Sequence, residues 1–218
     1  MTTATYAEAR QNMVDNQLRA NKVVDERLLD VMGRLPRERF VPDNLRGIAY
    51  FDEDLPLGNG RCLIEPMVLA RLIQTAGLQP GDKVLDVGCA TGYSTAVLTS
   101  LAASVVALES DPALAGRARA ALAAEGIANA TVVVGPLEAG HAALGPYDVV
   151  LIAGAVEHLP RALIDQLAHD GRLATVVRRR NRVGEAILYR RSPAAEVPLF
   201  DAATPLMPGF AAEPSFVF

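Results

Sequence analysis

The stretch VLDVGCATGYSTAVL, residues 84–98, decides the fold class of this 218-residue chain. It places a short apolar run, an acid, a glycine-rich turn and a helical pattern in that order. In open α/β sheets, ligands bind at the carboxyl ends of strands, often at the first strand-to-helix turn. Gly88 and Gly92 permit a sharp turn and close approach of a ligand, and free N–H groups at a helix start favour an anionic ligand group. The stretch therefore predicts a ligand site at this turn.

The flanking sequence extends this pattern into a doubly wound α/β domain from about Pro66 to Val177. Continuous apolar runs alternate with helical stretches, as a mostly parallel sheet covered on both faces requires. The strand runs are KVLDVG, SVVALES, ATVVVG, YDVVLIAG and RLATVVR, and the helical stretches are MVLARLIQTAGL, TAVLTSL, ALAGRARAALAAEG and RALIDQLAHD. In the tail, GEAILYRR predicts an antiparallel edge strand and SFVF a further one. SPAAEVP and FDAATPLMPGF predict loops.

The amino-terminal part predicts a helical extension followed by a cover over the site. Apolar spacing predicts helices over residues 6–18 and 25–33, with Asp25 as an N-cap. The next stretch, LPRERFVPDNLRGIAYFDEDLPLGNGR, is long for a connection and favours an ordered functional cover. We therefore divide the chain into helices and substrate-side cover loop (1–65), a ligand-binding α/β domain (66–177), and strands and loops that complete the same domain (178–218).

Composition narrows the class of protein. The formal net charge of -4 and the absence of a long Lys/Arg tract disfavour a nucleic-acid partner. The two cysteines, Cys62 and Cys89, lack the spacing of a zinc site or a disulfide framework, which favours a cytoplasmic protein without a metal. The sequence contains no signal peptide pattern and no run of about 18 uncharged apolar residues. We expect one compact domain and no membrane partner.

The spacing of the turn favours a methyl donor over a dinucleotide. A dinucleotide fingerprint, GxGxxG, has three glycines that fit a pyrophosphate, whereas this turn has Gly88-x-x-x-Gly92. The spacing resembles the first motif of class I S-adenosylmethionine-dependent methyltransferases. Glu109 ends the next strand, where an acid can accept hydrogen bonds from two ribose hydroxyls. The predicted contacts to S-adenosyl-L-methionine are Asp86, Gly88, Cys89, Ala90, Gly92, Glu109, Ser110 and Leu137. Asp86 can equally be a structural anchor, and Gly92 a helix-packing glycine.

Segments outside the turn resemble the protein-L-isoaspartate O-methyltransferases, which methylate the abnormal carboxylate of isoaspartyl residues in damaged proteins. These segments are MVDNQLRANKVVDERLLDVMGRLPRERFVP (13–42), AYFDEDLPLGNG (49–60), YDVVLIAGA (147–155) and LIDQLAHDGRLATVV (163–177). The resemblance implies a Rossmann-like fold, S-adenosylmethionine as cofactor and an isoaspartyl protein or peptide as partner. A carboxylate acceptor is already ionised at neutral pH, so no general base is required.

Three positions depart from the pattern of that family. In the family, the loop that corresponds to residues 61–66 usually reads Gln-Thr-Ile-Ser-x-Pro, and its serine is associated with catalysis. In this chain the loop reads RCLIEP, so Ile64, which has no hydroxyl group, replaces the serine. The family's Gly-Asp-Gly near the adenine is Gly-Pro-Leu at 135–137, where Glu138 or the backbone of Leu137 can substitute for the acid. Glu157-His158 resembles an acceptor-side motif of small-molecule methyltransferases; the simpler interpretation is that His158 caps or packs locally.

The methyl acceptor is therefore less well defined than the methyl donor. The substrate-side candidates are Cys62, Ile64, Glu65 and His158, and no catalytic residue is assigned. The arginine run at 178–182 predicts a solvated hairpin, with a guanidinium facing an anionic substrate as the alternative. Three functions stay open: isoaspartyl-type carboxyl methylation, methylation of a different acceptor on the same scaffold, and cofactor binding without transfer.

Overall fold

A computed structural model describes residues 3–180 and 182–211, and within these residues a seven-stranded sheet forms the centre of the molecule. The spatial order of its strands is β5-β4-β3-β6-β7-β8-β9. The strands are β3 (Lys83–Val87), β4 (Ser104–Glu109), β5 (Ala130–Val134), β6 (Tyr147–Val156), β7 (Leu167–Val177), β8 (Gly184–Arg190) and β9 (Ala195–Ala202). The first five strands in this order, β5, β4, β3, β6 and β7, are parallel to one another. Strands β8 and β9 add antiparallel pairs.

Both faces of the central strands of the sheet are buried, which explains their continuous apolar runs. Along β3, Val84 belongs to one hydrophobic cluster, whereas Leu85 and Val87 belong to another on the opposite face. The same alternation recurs in β6, where Val149 and Val150 fall in different clusters. Successive side chains of a strand point to opposite faces, so each face needs its own apolar layer. The predicted doubly wound α/β class is confirmed.

Helices begin and end largely where local signals predict. The described helices are α1 (Thr3–Met13), α2 (Glu26–Arg34), α3 (Pro66–Ala76), α4 (Tyr93–Thr99), α5 (Pro112–Ala124) and α6 (Arg161–Asp165). Asp25 caps α2 by accepting hydrogen bonds from the backbone N–H groups of Arg27 and Leu28 at 3.0 and 3.3 Å. Pro66 opens α3, and Gly77 ends it in the left-handed conformation. The first predicted helix ends as α-helix at Met13 and continues as a π-helical turn over Val14–Leu18.

Three predictions of local structure were wrong in part. The helix predicted through Asp170 ends at Asp165, because Leu167 already pairs with Tyr147 of β6. The tail segments predicted as loops contain β9, which tolerates Pro198 because it is an edge strand. The predicted cover contains a hairpin of β1 (Leu55–Gly58) and β2 (Arg61–Leu63), with a left-handed Asn59 between them.

Two further expectations concern the ends of the chain and the membrane. The strand predicted at SFVF lies outside the described residues. Among the helices of residues 3–180 and 182–211, none has the length and apolar character that crossing a bilayer requires.

The carboxyl ends of β3, β4 and β6 lie side by side at one edge of the sheet, so the predicted site residues that follow these strands are brought together there.

Candidate functional site

The glycine turn, residues 88–92, has a backbone that only small residues adopt easily. Gly88, Ala90 and Gly92 have φ angles of 76°, 50° and 95°. The N–H groups of Gly88 and Cys89 donate to the carbonyl oxygen of Leu108 in β4 at 2.8 and 3.1 Å, so β4 fixes the turn. A Cβ atom on Gly92 would lie 3.3 Å from Ala118 of α5, which makes Gly92 a helix-packing glycine as well as a turn residue. The turn is rigid and closely packed.

Asp86 anchors the turn to the helix that follows it. Its side chain is fully buried, and one oxygen accepts hydrogen bonds from Ser94 and Thr95 at 2.8 and 2.6 Å. The other carboxylate oxygen has no hydrogen-bond partner within the described residues. Burial raises the pKa of Asp86 to about 6, while the two hydroxyl groups lower it and the charge of Glu109 raises it. These contacts support the structural role for Asp86 over direct chemistry.

Glu109 is the centre of a buried hydrogen-bond network at the end of β4. Its carboxylate accepts from the backbone N–H groups of Ala90 at 2.8 Å, Ser110 at 2.8 Å and Asp111 at 3.1 Å. It also accepts from the guanidinium of Arg61 at 2.9 and 3.3 Å. Both side chains of this ion pair are buried, with 4% and 0% of their areas exposed. The acid that was predicted to bind a ribose is therefore already bonded within the chain.

A covering segment, residues 204–210, lies over the same edge of the sheet. It follows β9 and bonds to the end of β6: Met207 N–H donates to Ala155 O at 2.8 Å, and Ala155 N–H donates to Pro205 O at 3.1 Å. The Met207 side chain, 3% exposed, packs onto the backbone of both Gly88 and Gly154. A Cβ atom at Gly88 would lie 2.7 Å from the Met207 sulfur and from Arg61 Nη2. Arg61 and Met207 thus fill the space directly above the glycine turn.

The acceptor segment, residues 61–66, is held in place by a buried arginine. The Arg37 guanidinium is fully buried and donates hydrogen bonds to Ile64 O at 2.8 Å and Ala49 O at 2.8 Å. It lies over the ring of Tyr93, with 4.8 Å between the guanidinium carbon and the ring centroid. Ile64 itself is buried, so the position of the family's serine presents an aliphatic group packed in the core.

Acidic groups surround the acceptor segment. The Glu65 N–H donates to a carboxylate oxygen of Asp54 at 2.9 Å. Burial, followed by the charges of Asp52 and Asp54, raises the pKa of Glu65 to about 7. Burial also raises the pKa of the Cys62 thiol to about 11, with Asp54 adding to the rise and Arg61 opposing it. Cys62 is therefore not an activated nucleophile, since reactive thiols have lowered pKa values.

The remaining candidates lie around this edge of the sheet in less constrained positions. Leu137 is buried at the start of a short 3₁₀ turn, Leu137–Ala139, and the Glu138 carboxylate approaches Gly209 of the covering segment. His158 follows β6 and is exposed, and the N–H of its neighbour Glu157 donates to Phe210 O at 3.2 Å. Within the described residues no group of three or more potential ligands could hold a metal ion.

Sequence reasoning missed three of the residues that shape this site. Arg61 was visible only as a departure from the family's glutamine, and its partner Glu109 is 48 positions away. Met207 has no sequence signal, because its neighbours predict a loop. Arg37 has the local appearance of an ordinary surface arginine, yet it is fully buried.

The fold and the site define a class I methyltransferase: a mostly parallel sheet, a glycine turn after β3 and an acid at the end of β4. The chain belongs to the protein-L-isoaspartate(D-aspartate) O-methyltransferase family, whose model matches residues 8–199.

Individual proteins agree with this assignment. The protein-L-isoaspartate O-methyltransferase of Methanoculleus marisnigri is 40% identical over 77% of this chain and 76% of its own length. That of Methylorubrum extorquens is 43% identical over 78% of this chain and 75% of its own. A solved protein-L-isoaspartate O-methyltransferase shares the fold, with a TM-score of 0.79, 22% identity, and coverage of 92% of this chain and 67% of its own.

A second solved structure shares the fold and has a bound ligand. This putative protein-L-isoaspartate O-methyltransferase from Plasmodium falciparum, in complex with S-adenosyl-L-homocysteine, has a TM-score of 0.76 and 18% identity. The alignment covers 94% of this chain and 98% of the Plasmodium chain.

The residues of this site fit S-adenosylmethionine only in part. The turn, Glu109 and the unpartnered oxygen of Asp86 form a suitable floor, because they offer close backbone approach and polar groups. The space above that floor does not fit, because Arg61 and Met207 fill it and Arg61 bonds Glu109, the acid predicted to bind ribose. Those two side chains must move before a ligand can lie against Gly88.

Proposed function

We propose that this protein is an S-adenosylmethionine-dependent methyltransferase that esterifies the carboxylate of isoaspartyl residues in proteins or peptides. One observation supports this proposal best: the acceptor segment and the glycine turn meet at one edge of the sheet, where Glu109 pairs with Arg61 of the segment and accepts from the Ala90 N–H of the turn. A methyl donor at the turn and an acceptor at the segment would therefore be neighbours. Family membership over residues 8–199 makes the carboxylate the first acceptor to test.

In the proposed reaction, the side chains of the protein need only position the methyl donor and the acceptor carboxylate. S-adenosylmethionine supplies a sulfonium methyl group. A carboxylate oxygen of the acceptor bonds to the methyl carbon as the carbon–sulfur bond breaks, and the electron pair of that bond stays on sulfur. No proton moves, so the lack of a hydroxyl at Ile64 leaves the reaction possible. In this proposal, Arg37 keeps the acceptor segment in place through Ile64 O, and orientation supplies most of the rate enhancement.

Reducing conditions suit this protein, and we infer a cytoplasmic location. Cys62 and Cys89 are both free thiols, and Cys89 lies buried in the glycine turn. Disulfides persist in oxidising compartments, whereas free buried thiols are usual where glutathione keeps them reduced. Isoaspartyl-containing proteins would be the partners in this setting.

Two features favour a second candidate function. Asp52 and Asp54 lie close enough to raise the pKa of Glu65, and these carboxyl groups would oppose the approach of a further carboxylate. Ile64 also removes the hydroxyl that the family usually offers there. A methyltransferase on the same scaffold with a neutral or cationic acceptor fits these two features better.

Methyl transfer to a defined peptide distinguishes the two functions. We expect the protein to transfer tritiated methyl from S-adenosylmethionine to a hexapeptide with one isoaspartyl residue. The control peptide has the same sequence with a normal aspartyl residue and should receive none. Transfer to neither peptide, by a preparation that binds S-adenosyl-L-homocysteine in calorimetry, would contradict the isoaspartyl function and favour a different acceptor.

A further inference from the structure

Two side chains from distant parts of the chain fill the volume above Gly88. Arg61 comes from the acceptor segment and Met207 from the covering segment, and each comes within 2.7 Å of the point where a Cβ atom of Gly88 would lie. Gly154, in β6 next to β3, provides the rest of the floor under Met207, since a Cβ atom there would lie 2.6 Å from the Met207 methyl carbon. We call Arg61 and Met207 together the internal plug.

The two side chains of the internal plug block two different contacts that a nucleotide-like ligand would make. Arg61 donates to both oxygens of Glu109, so hydroxyl groups can bond this acid only where Arg61 has left it. Met207 excludes any ligand from the backbone of Gly88 by filling the contact volume. The blocking side chain is itself an unbranched thioether, about as long and as narrow as the side-chain part of a methionyl group.

The covering segment is attached by contacts that can open locally. Besides the bonds of Met207 and Pro205 to Ala155, it is joined to the sheet by Glu157 N–H to Phe210 O at 3.2 Å and by Arg178 Nη1 to Thr204 O at 3.5 Å, and Met207 and Phe210 pack in a hydrophobic cluster. Its position after β9, outside the ladder of the main sheet, leaves the seven strands intact when it moves. Segments with few backbone bonds open at lower free energy than core strands.

We propose that the internal plug is an autoinhibitory device that holds the protein in a closed state and sets its affinity for the methyl donor. This inference rests on the proposed donor, S-adenosylmethionine. Donor and plug compete for one volume, so binding requires Arg61 to leave Glu109 and the covering segment to lift Met207 from Gly88 and Gly154. A closed-to-open ratio of about ten weakens the measured affinity about tenfold, because only the open fraction binds.

The test measures affinity for S-adenosyl-L-homocysteine by isothermal titration calorimetry in the full chain. Arg61→Gln restores the residue usual in the family, Met207→Ala empties the space over Gly88, and the double variant does both. We expect each single variant to bind several-fold more tightly than the wild type, and the double variant about tenfold more tightly. Arg34→Gln removes an exposed arginine that pairs with Asp30, and Met32→Ala empties a buried methionine site in α2. Both control variants should bind as the wild type does.

A second measurement follows the methionine methyl signals of the wild-type protein, so its result does not depend on how a substitution changes stability. With 13C-labelled methionine methyl groups, Met207 is assigned by the loss of its signal in Met207→Ala. Saturation with S-adenosyl-L-homocysteine should move the Met207 signal toward the position of a solvent-exposed methionine. The signals of Met13 and Met32, both buried in a different hydrophobic cluster from Met207, should stay in place.

Three results would overturn the internal plug. One is equal affinity of the wild type and the double variant, and a second is a ligand-saturated protein in which the Met207 signal has not moved. Absence of binding in every folded variant also rejects it, because an emptied site would then still fail to hold the donor. The proposed function fails separately: tight binding by Met207→Ala without transfer to the isoaspartyl peptide contradicts the acceptor and leaves the plug intact.

Discussion

The glycine turn and the acceptor segment meet at the same edge of the sheet, but the turn contributes its backbone to the site and the segment contributes its side chains. In the turn, function depends on the backbone: positive φ angles at Gly88, Ala90 and Gly92, and N–H groups that bond Leu108 and Glu109. In the acceptor segment, function depends on side chains, and there Arg61 and Ile64 replace the residues usual in the family. The difference teaches that a motif built on backbone geometry can persist while the neighbouring side-chain chemistry changes.

The comparison also explains why the methyl donor is better defined than the acceptor. A sharp turn between β3 and α4 permits few sequences, so its glycines constrain what can bind. The acceptor segment is held in part through its backbone, because Arg37 donates to the carbonyl oxygen of Ile64, a group that every residue type provides. The segment can therefore keep its position while its chemistry differs.

The largest expected effect comes from breaking the turn with Gly88→Val. At a φ of 76° a residue with a Cβ atom costs about 1–2 kcal/mol, and a branched one costs more. The added atoms would also lie against Arg61 and Met207 and occupy any ligand volume. We expect no detectable binding of S-adenosyl-L-homocysteine in calorimetry and a lower free energy of unfolding in urea.

The matched control for this change is Gly116→Val in α5. No other atom lies within 4 Å of the Cβ position at Gly116, and its φ angle is not positive. The control should bind as the wild type does. Near-normal affinity in Gly88→Val would contradict the placement of the donor at this turn.

An intermediate effect is expected when the family's hydroxyl is restored by Ile64→Ser. Removing a buried isoleucine costs about 2–5 kcal/mol of stability, so Ile64→Ala serves as the reference for lost packing. Relative to that reference, one added hydrogen bond to the acceptor should raise isoaspartyl turnover about tenfold. The measurement is the initial rate of tritiated methyl transfer to the isoaspartyl peptide. Equal and negligible rates in the wild type and both variants would favour a different acceptor.

The smallest effect concerns the pH dependence of stability, tested by Glu65→Gln. Burial first, then Asp52 and Asp54, raise the pKa of Glu65 to about 7, above its ordinary value of 4.5. The folded state then holds more protons than the unfolded state between these pH values, so stability falls as pH rises through this window. Urea unfolding at pH 5 and pH 8 should show a smaller loss in Glu65→Gln than in the wild type.

Asp52→Asn provides a graded control for the same measurement. It removes one of the two neighbouring charges, so it should reduce the loss of stability between pH 5 and pH 8 by less than Glu65→Gln does. An identical pH dependence in all three proteins would show that Glu65 stays solvated and unperturbed.

Much of the fold could be predicted from the sequence because its signals are local. Asp25 before α2, Pro66 and Gly77 at the ends of α3, and the apolar run of β3 each specify an element from neighbouring residues alone. The errors occurred where pairing between distant segments outweighed local pattern. Leu167 pairs with Tyr147 and ends the predicted helix early, and Pro198 lies in a strand because it is at an edge.

The sequence by itself determined the fold class, the glycine turn and the acid at the end of β4, since a strand-turn-helix pattern is written in consecutive residues. Only the tertiary structure decided that Arg61 pairs with Glu109 and that Met207 covers Gly88. The physical reason is that side-chain contacts between segments far apart in the chain depend on how the segments pack, and neither the hairpin of β1 and β2 nor the covering segment encodes its partner locally. The floor of the donor site is thus a property of the sequence, and the plug above it is a property of the fold.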